Sequence, residues 1–409
     1  MKERAALIVA TMDTKGKEVQ YLSECIQESG LTALTLDGGT LGESPFPTSV
    51  TRDEVALAGG MPLRQVQDLG DEAKAIAVMT SGATAIAKRL YKEGRIGGIM
   101  SIGGAMGTIM GTGVMRSFPA GFPKVMISTM ASSNTRPYVG TKDIMMLYSI
   151  CDLSGVNRVT GKVLRNGANA LAGMLRDQLG YVPTTAPVLA LSTLGTTETC
   201  SQRVRAAFEA KGMEVLVFHT TGAGGQAMDE VVSEEEITGV IDLSLDEIGN
   251  NRFGGDYDAG PDRCSAALRK GVPTVVVPGN IDFLGGGPLK MAQLRFPGRR
   301  LHVHNSAITA VRTTQEEVNA IAGIIAMRCN EARGLVACLV PAGGFSAWDQ
   351  PGGPFYDPDS VDSFSRTLRD ALSPAVPLQV LPFNINAPEF ADAVIATMEE
   401  LLAKTGSRV

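Results

Sequence analysis

The residues best suited to chemistry sit in short segments rich in glycine and hydroxyls. GGIMSIGGAMGTIMGTG, Gly97 to Gly113, passes from an apolar run through Gly103 and Gly104 into a segment of helical character. Glycines at such a junction let backbone N–H groups come close to a phosphate at a helix N-terminus, where unpaired donors and the helix dipole favour an anion. Gly103, Gly104 and Gly107 would supply that cradle, and Thr108 a hydroxyl. Neither strict phosphate motif is present: the lysine of G-x-x-x-x-G-K-[ST] is missing, and G-x-G-x-x-G is out of register. Close packing of strand on helix is the alternative reason for the same glycines.

Thr11 to Glu18 follows the first apolar run, at the edge where open α/β sheets bind ligands. Lys15 there can meet a phosphate, and Asp13 a ribose hydroxyl or a metal-bound phosphate; helix capping by Asp13 or Thr14 is the competing account. Ser128 to Asn134 offers hydroxyls at Ser128 and Ser132, which suit a polar ligand or simple turn chemistry. FHTTGAGGQAMDE repeats the glycine theme with Gly222, Gly224 and Gly225 ahead of a helix, a second candidate anion loop.

His219 and His304 fall at expected strand ends, where imidazole can transfer a proton or hold an anion. His302 and His304 share a strand face, but no third ligand matches them for zinc. Arg312 can grip a carboxylate or phosphate bidentately. The neighbouring Thr313 with Glu316, or Thr314 with Glu317, reads as a capping box. The acidic stretch Ile241 to Arg263 could attract Mg²⁺ but lacks calcium-loop spacing, so a solvated loop is the default. Pro341 to Ser360, with Phe345, Trp348, Phe355 and Tyr356, reads as an ordered loop over a cleft.

The elements that must position these residues follow from a steady rhythm. Apolar runs at Ala6–Ala10, Leu31–Leu36, Gly98–Ile102 and Lys124–Ser128 alternate with helical segments at Lys17–Glu28, Asp71–Lys92, Thr108–Arg116 and Thr160–Gln178. After YVPTTAP (Tyr181 to Pro187) the rhythm restarts, with runs at Val188–Ser192, Glu214–Phe218, Gly239–Leu243, Thr274–Val277, Leu301–His304, Leu335–Val340 and Leu378–Leu381. Alternation of this kind gives βαβ units. The expected fold is α/β with two Rossmann-like domains, 1–182 and 183–409, each an open, mainly parallel sheet flanked by helices. Thr11 and Thr193, Thr14 and Thr196, and Gly30 and Gly212 recur at one spacing, as a duplication or two βαβ units of common length would produce.

Bulk composition bounds the partners. The chain has 409 residues, 44% of them hydrophobic, which suffices for two cores. A formal charge of -6, with 5% aromatics and no basic tract, argues against nucleic acid and against an acidic membrane surface. The six cysteines form no C-x-x-C pair, which fits reduced thiols and a cytoplasmic location. No stretch approaches the roughly 20 apolar residues of a membrane span.

Taken in order, VATMDTKGKE, SIGGAMGT, STMASSN, YVGTKDIMMLYSICDLSGVN, VFHTTGAGGQAMDE, AGPDR, VHNSAITAVRTTQEE and SAWDQPGGPFYDP resemble the tomato mosaic virus resistance protein-like ATP-binding family over nearly the whole chain. The resemblance implies two α/β subdomains, ATP binding and self-association into a homo-oligomer. Ala105 stands where a serine often follows the paired glycines, which removes a hydroxyl but no backbone donor. The expectation is ATP with Mg²⁺, its phosphates at Gly103, Gly104, Gly107 and Thr108, with Thr11, Asp13, Thr14 and Lys15 completing the site. Two rivals stand beside it. One is an enzyme acting on a small carboxylate or phosphate ester through His304 and Arg312; the other is an oligomeric scaffold that ATP stabilises.

Overall fold

A computed structural model describes residues 5–176 and 185–406. The chain divides into two compact units, Met1–Pro183 and Thr184–Val409. Of the stretch where the sequence places the domain boundary, 181–184 lie outside the described residues, as does Gln178 at the expected end of a helix.

In the first unit, β1 (Ala5–Ala10), β2 (Ala33–Asp37), β3 (Ile96–Gly103), β4 (Lys124–Ser128) and β5 (Met145–Tyr148) form one parallel sheet in the order β2-β1-β3-β4-β5. A parallel sheet covered on both faces wants strands that are apolar throughout, and β1, AALIVA, is buried at every position. Ala6 and Ile8 pack with Val19 and Leu22 of helix Met12–Glu28 and with Leu164 and Leu171 of helix Thr160–Arg176. Leu7 and Val9 pack with Met79 and Ala83 of helix Glu72–Lys92 and with Met110 and Val114 of helix Ala105–Met115. The helices that follow β1 and β3 therefore leave on opposite faces, and a crevice opens between the ends of those two strands.

The second unit repeats this plan. β6 (Val188–Thr193), β7 (Glu214–His219), β8 (Gly239–Ser244) and β9 (Thr274–Gly279) join two later strands in one parallel sheet. Between β9 and those later strands the chain inserts β10 (Phe283–Gly285), β11 (Leu301–Val303) and β12 (Thr309–Arg312), an antiparallel sheet in the order β10-β12-β11. β13 (Val336–Pro341) and β14 (Leu378–Leu381) complete the six-stranded order β14-β13-β9-β8-β6-β7. Leu301–His304 was expected to join the parallel sheet and instead lies in the insertion, with His304 one residue past the end of β11. The related positions fall alike: Thr11 follows β1, Thr193 ends β6, and Gly30 and Gly212 both turn the chain with φ of 77° and 82°.

Two helix starts differ from expectation. The helix after β1 begins at Met12 rather than Lys17, so Asp13, Thr14 and Lys15 lie in its first turn. The helix after β3 begins at Ala105, ahead of Thr108. Among the described residues, no helix is long and apolar enough to cross a membrane.

Candidate functional site

The crevice of the first unit is a cavity of about 650 Å³ that brings three strand ends together: Thr11 to Lys15 after β1, Gly38, Thr40 and Leu41 after β2, and Gly103 to Gly107 after β3. Buried Asp37 at the end of β2 shapes it, its Oδ1 accepting from the N–H of Met12 (3.1 Å) and of Gly39 (2.8 Å). Burial pushes the Asp37 carboxyl above its ordinary range, while these two N–H groups oppose the shift. Asp13 organises the rim, its Oδ2 accepting from Leu41 N–H at 3.0 Å. The other oxygen of Asp13, Oδ1, is buried without a hydrogen-bond partner. Lys15 lines the cavity but is partly engaged, since Nζ donates to the Leu153 carbonyl at 2.5 Å. Its ammonium retains two further donors.

The glycines of the β3 turn separate into two kinds. A Cβ on Gly103 would meet the Gly107 Cα at 2.7 Å, and one on Gly107 would meet the Ile102 carbonyl oxygen at 3.1 Å, so these two residues allow the helix to seat on the strand. Gly104 has no such constraint: its nearest neighbour would be Thr129 Oγ1 at 3.8 Å, and its φ of -78° suits any residue. It is the N-cap of helix Ala105–Met115 and has no side chain to satisfy the first turn. Ala105, Met106 and Gly107 of that turn line the cavity.

Other predicted ligands of this site are used within the protein. Thr108 is buried; its hydroxyl donates to the Gly104 carbonyl at 2.7 Å and shares a 2.6 Å hydrogen bond with Ser128. Ser128 Oγ also accepts from Met130 N–H, so the pair ties β4 to the helix. Ser132 is exposed and does not line the cavity.

The second glycine loop already holds an anion from its own chain. Gly222 N–H and Gly225 N–H both donate to Glu247 Oε1, at 2.6 and 3.1 Å. Glu247 Oε2 in turn accepts from Nε of fully buried Arg263 at 2.5 Å, and Arg263 grips Asp242 bidentately at 2.6 and 2.7 Å. Burial pushes the Glu247 carboxyl upward, and Arg263 and the two glycine N–H groups oppose it. A Cβ on Gly225 would lie 1.6 Å from Glu247 Oε2, and one on Gly224 would lie 1.8 Å from the His219 carbonyl oxygen. Gly225 thus makes room for the carboxylate, Gly224 for the backbone carbonyl of His219, and Gly222 takes a φ of 90° that favours glycine. The sequence contains Glu247 in its acidic stretch, but nothing local pairs it with a loop more than twenty residues earlier.

A separate cavity of about 410 Å³ lies at the strand ends of the second sheet, with His219, His304, Tyr257, Phe283 and Trp348 in its wall. The loop expected to cover a cleft contributes Trp348, which stands 4.9 Å from Phe283 and 4.8 Å from His302 between ring centroids. Thr196, also in the wall, donates to Asn280 Oδ1, and Asn280 Nδ2 donates to Ser244 Oγ at 2.7 Å. Arg312 lies outside this wall. It is 3% exposed, and it donates to the carbonyls of Phe355, Asp282 and Thr313, which makes it a clamp on the loop. His304 and Arg312 are therefore not brought together as a reacting pair. Beside Arg312, burial and the Asp349 charge push the Asp282 carboxyl up to about 7.

The family described as "Uncharacterised protein family (UPF0261)" matches this chain through its N-terminal domain at residues 4–179 and its C-terminal domain at 186–402. A UPF0261 protein of Clostridium tetani is 37% identical over 97% of this chain and 99% of its own length. One from Brucella suis is 30% identical over 97% of this chain and 96% of its own length. The ToMV resistance protein Tm-1(GCR237) of Solanum lycopersicum is 31% identical over 97% of this chain, which corresponds to 56% of the plant protein.

Proposed function

This chain belongs to the UPF0261 family, and on that premise we propose that its first unit binds ATP with Mg²⁺ in the crevice between β1 and β3. The observation that carries this reading is the uncapped first turn of helix Ala105–Met115, opening into a cavity of about 650 Å³ where the strand order reverses. Phosphate oxygens would accept from the N–H groups of Ala105, Met106 and Gly107, where the helix dipole is also favourable. Val66, Ala75, Ile76 and Met106 give an apolar flank for the base.

The residues present also fit a magnesium ion. The lining holds Asp13, Asp71 and Glu72 against one ammonium, Lys15, so a bare triphosphate would meet more negative charge than positive. Mg²⁺ characteristically takes one or two carboxylates and completes its shell with phosphate oxygens and water. The unpartnered Asp13 Oδ1 is the ligand the protein would supply.

Calorimetric titration of the whole chain tests this. Gly104→Val should weaken Mg·ATP binding by about tenfold or more, because it covers the first-turn donors, and circular dichroism should stay unchanged because the new Cβ meets only Thr129 Oγ1, at an ordinary contact distance of 3.8 Å. Chelating Mg²⁺ should weaken binding as well. Binding that survives both changes would remove the nucleotide from this crevice.

A further inference from the structure

The cavity of the second unit differs in chemistry from the crevice just described. At about 410 Å³ it has the size of a small-molecule site, and Leu194, Phe283, Ile308, Ala310, Ala347 and Trp348 make its wall mainly apolar. Its rings are held in place before any ligand arrives. Trp348 packs on Phe283 at 4.9 Å and edge-on to Phe355 at 5.9 Å, with the His304 ring 6.0 Å away. A fixed ring cluster suits a flat aromatic body, because such pairs favour offset and edge-to-face contact and little side-chain freedom remains to be lost.

The polar groups of the wall narrow the choice. Among the described residues, no lysine, arginine, aspartate or glutamate lines the cavity, so these offer neither a counter-ion for a cation nor enough charge for a polyphosphate. The neighbouring glycine loop, which could otherwise take phosphate, is filled by Glu247. What remains is a pair of imidazoles in the same wall from separate elements, His219 at the end of β7 and His304 after β11, each with a ring N–H that a carboxylate can accept from. Burial and the Glu247 charge hold the carboxyl of fully buried Asp246, whose charge Tyr257 of the wall feels, well above its ordinary range, which lessens its repulsion of an anion.

We propose that the second unit carries its own binding site for a small aromatic monocarboxylate, the ring against Trp348 and Phe283 and the carboxylate at His219 and His304.

Trp348 is the only tryptophan of the chain, so its emission reports this cavity alone. In the full-length protein, benzoate should give a saturable change of that emission, with a matching heat by calorimetry. Benzamide, the neutral isostere, should bind at least about tenfold more weakly, and His219→Ala and His304→Ala should each weaken benzoate by about the same factor. Both histidines are exposed, and His304→Gln, which keeps a donor, should retain most of the affinity. Trp348→Phe should lose the optical signal and keep the heat. The proposal is overturned if benzoate gives neither signal, if benzamide binds equally well, if both alanine variants bind as the parent does, or if Mg·ATP displaces benzoate.

Discussion

Asp282 is a residue whose proton ties the stability of the second unit to pH. Its Oδ2 accepts from Ser346 at 2.7 Å, its Oδ1 has no partner, and burial with the Asp349 charge lifts its carboxyl from 3.8 to about 7 despite Arg312. The folded form thus holds a proton that the unfolded chain releases near its ordinary value. Stability from this group is fully present below about pH 4 and is lost as pH rises through about 7. Thermal unfolding at about pH 5 and about pH 8 should therefore show a fall in melting temperature that Asp282→Asn makes smaller, the raised carboxyls of Asp37, Asp246 and Glu247 contributing in the same direction. An unchanged fall in the variant would assign the pH dependence to other groups. At this scale the sequence was a partial guide. Asp13 and Lys15 were legible as residues of a turn at the strand end, where they line the cavity, whereas the internal use of Thr108, Ser128 and Arg312 depends on partners that only tertiary packing supplies.

Among the elements, helix Gln315–Asn330 shows how a local signal resolves. Two overlapping capping boxes were readable, and the structure forms the later one: Thr314 N–H donates to Glu317 Oε2 at 2.8 Å and Glu317 N–H to Thr314 Oγ1 at 3.2 Å. Thr313 is instead buried, donating to the Ile281 carbonyl and accepting from Arg312. Thr314→Ala should cost about 1 kcal/mol in urea unfolding. A negligible change would mean that the Arg299–Glu317 ion pair already fixes this helix start. Parallel strands were legible because burial on both faces demands continuous apolar runs such as those of β1 and β3. The insertion was not, since β10 and β11 have three residues each and Leu301–Val303 reads like any buried run. The early start of helix Met12–Glu28 was hidden by Thr14 and Gly16, residue types common in turns, while Asp37 from another strand receives the Met12 N–H.

For the whole molecule, the two units run the same strand reversal and place a glycine loop at a helix start in each, yet they treat those loops differently. Hydrogen exchange on the full chain should show Mg·ATP protecting amides at 12–16, 38–42 and 103–108 while those at 219–226 stay unchanged; protection confined to the second unit would relocate the nucleotide. The reason lies in Glu247. A carboxylate tethered to the same chain faces its loop at a high effective concentration, so dilution cannot remove it and a dissolved phosphate competes poorly. The consequence is one of stoichiometry. On the proposed reading, two look-alike halves would provide a single phosphate address, and saturation should come at one nucleotide per polypeptide, with the loop of the other half loaded by an anion written into its own sequence.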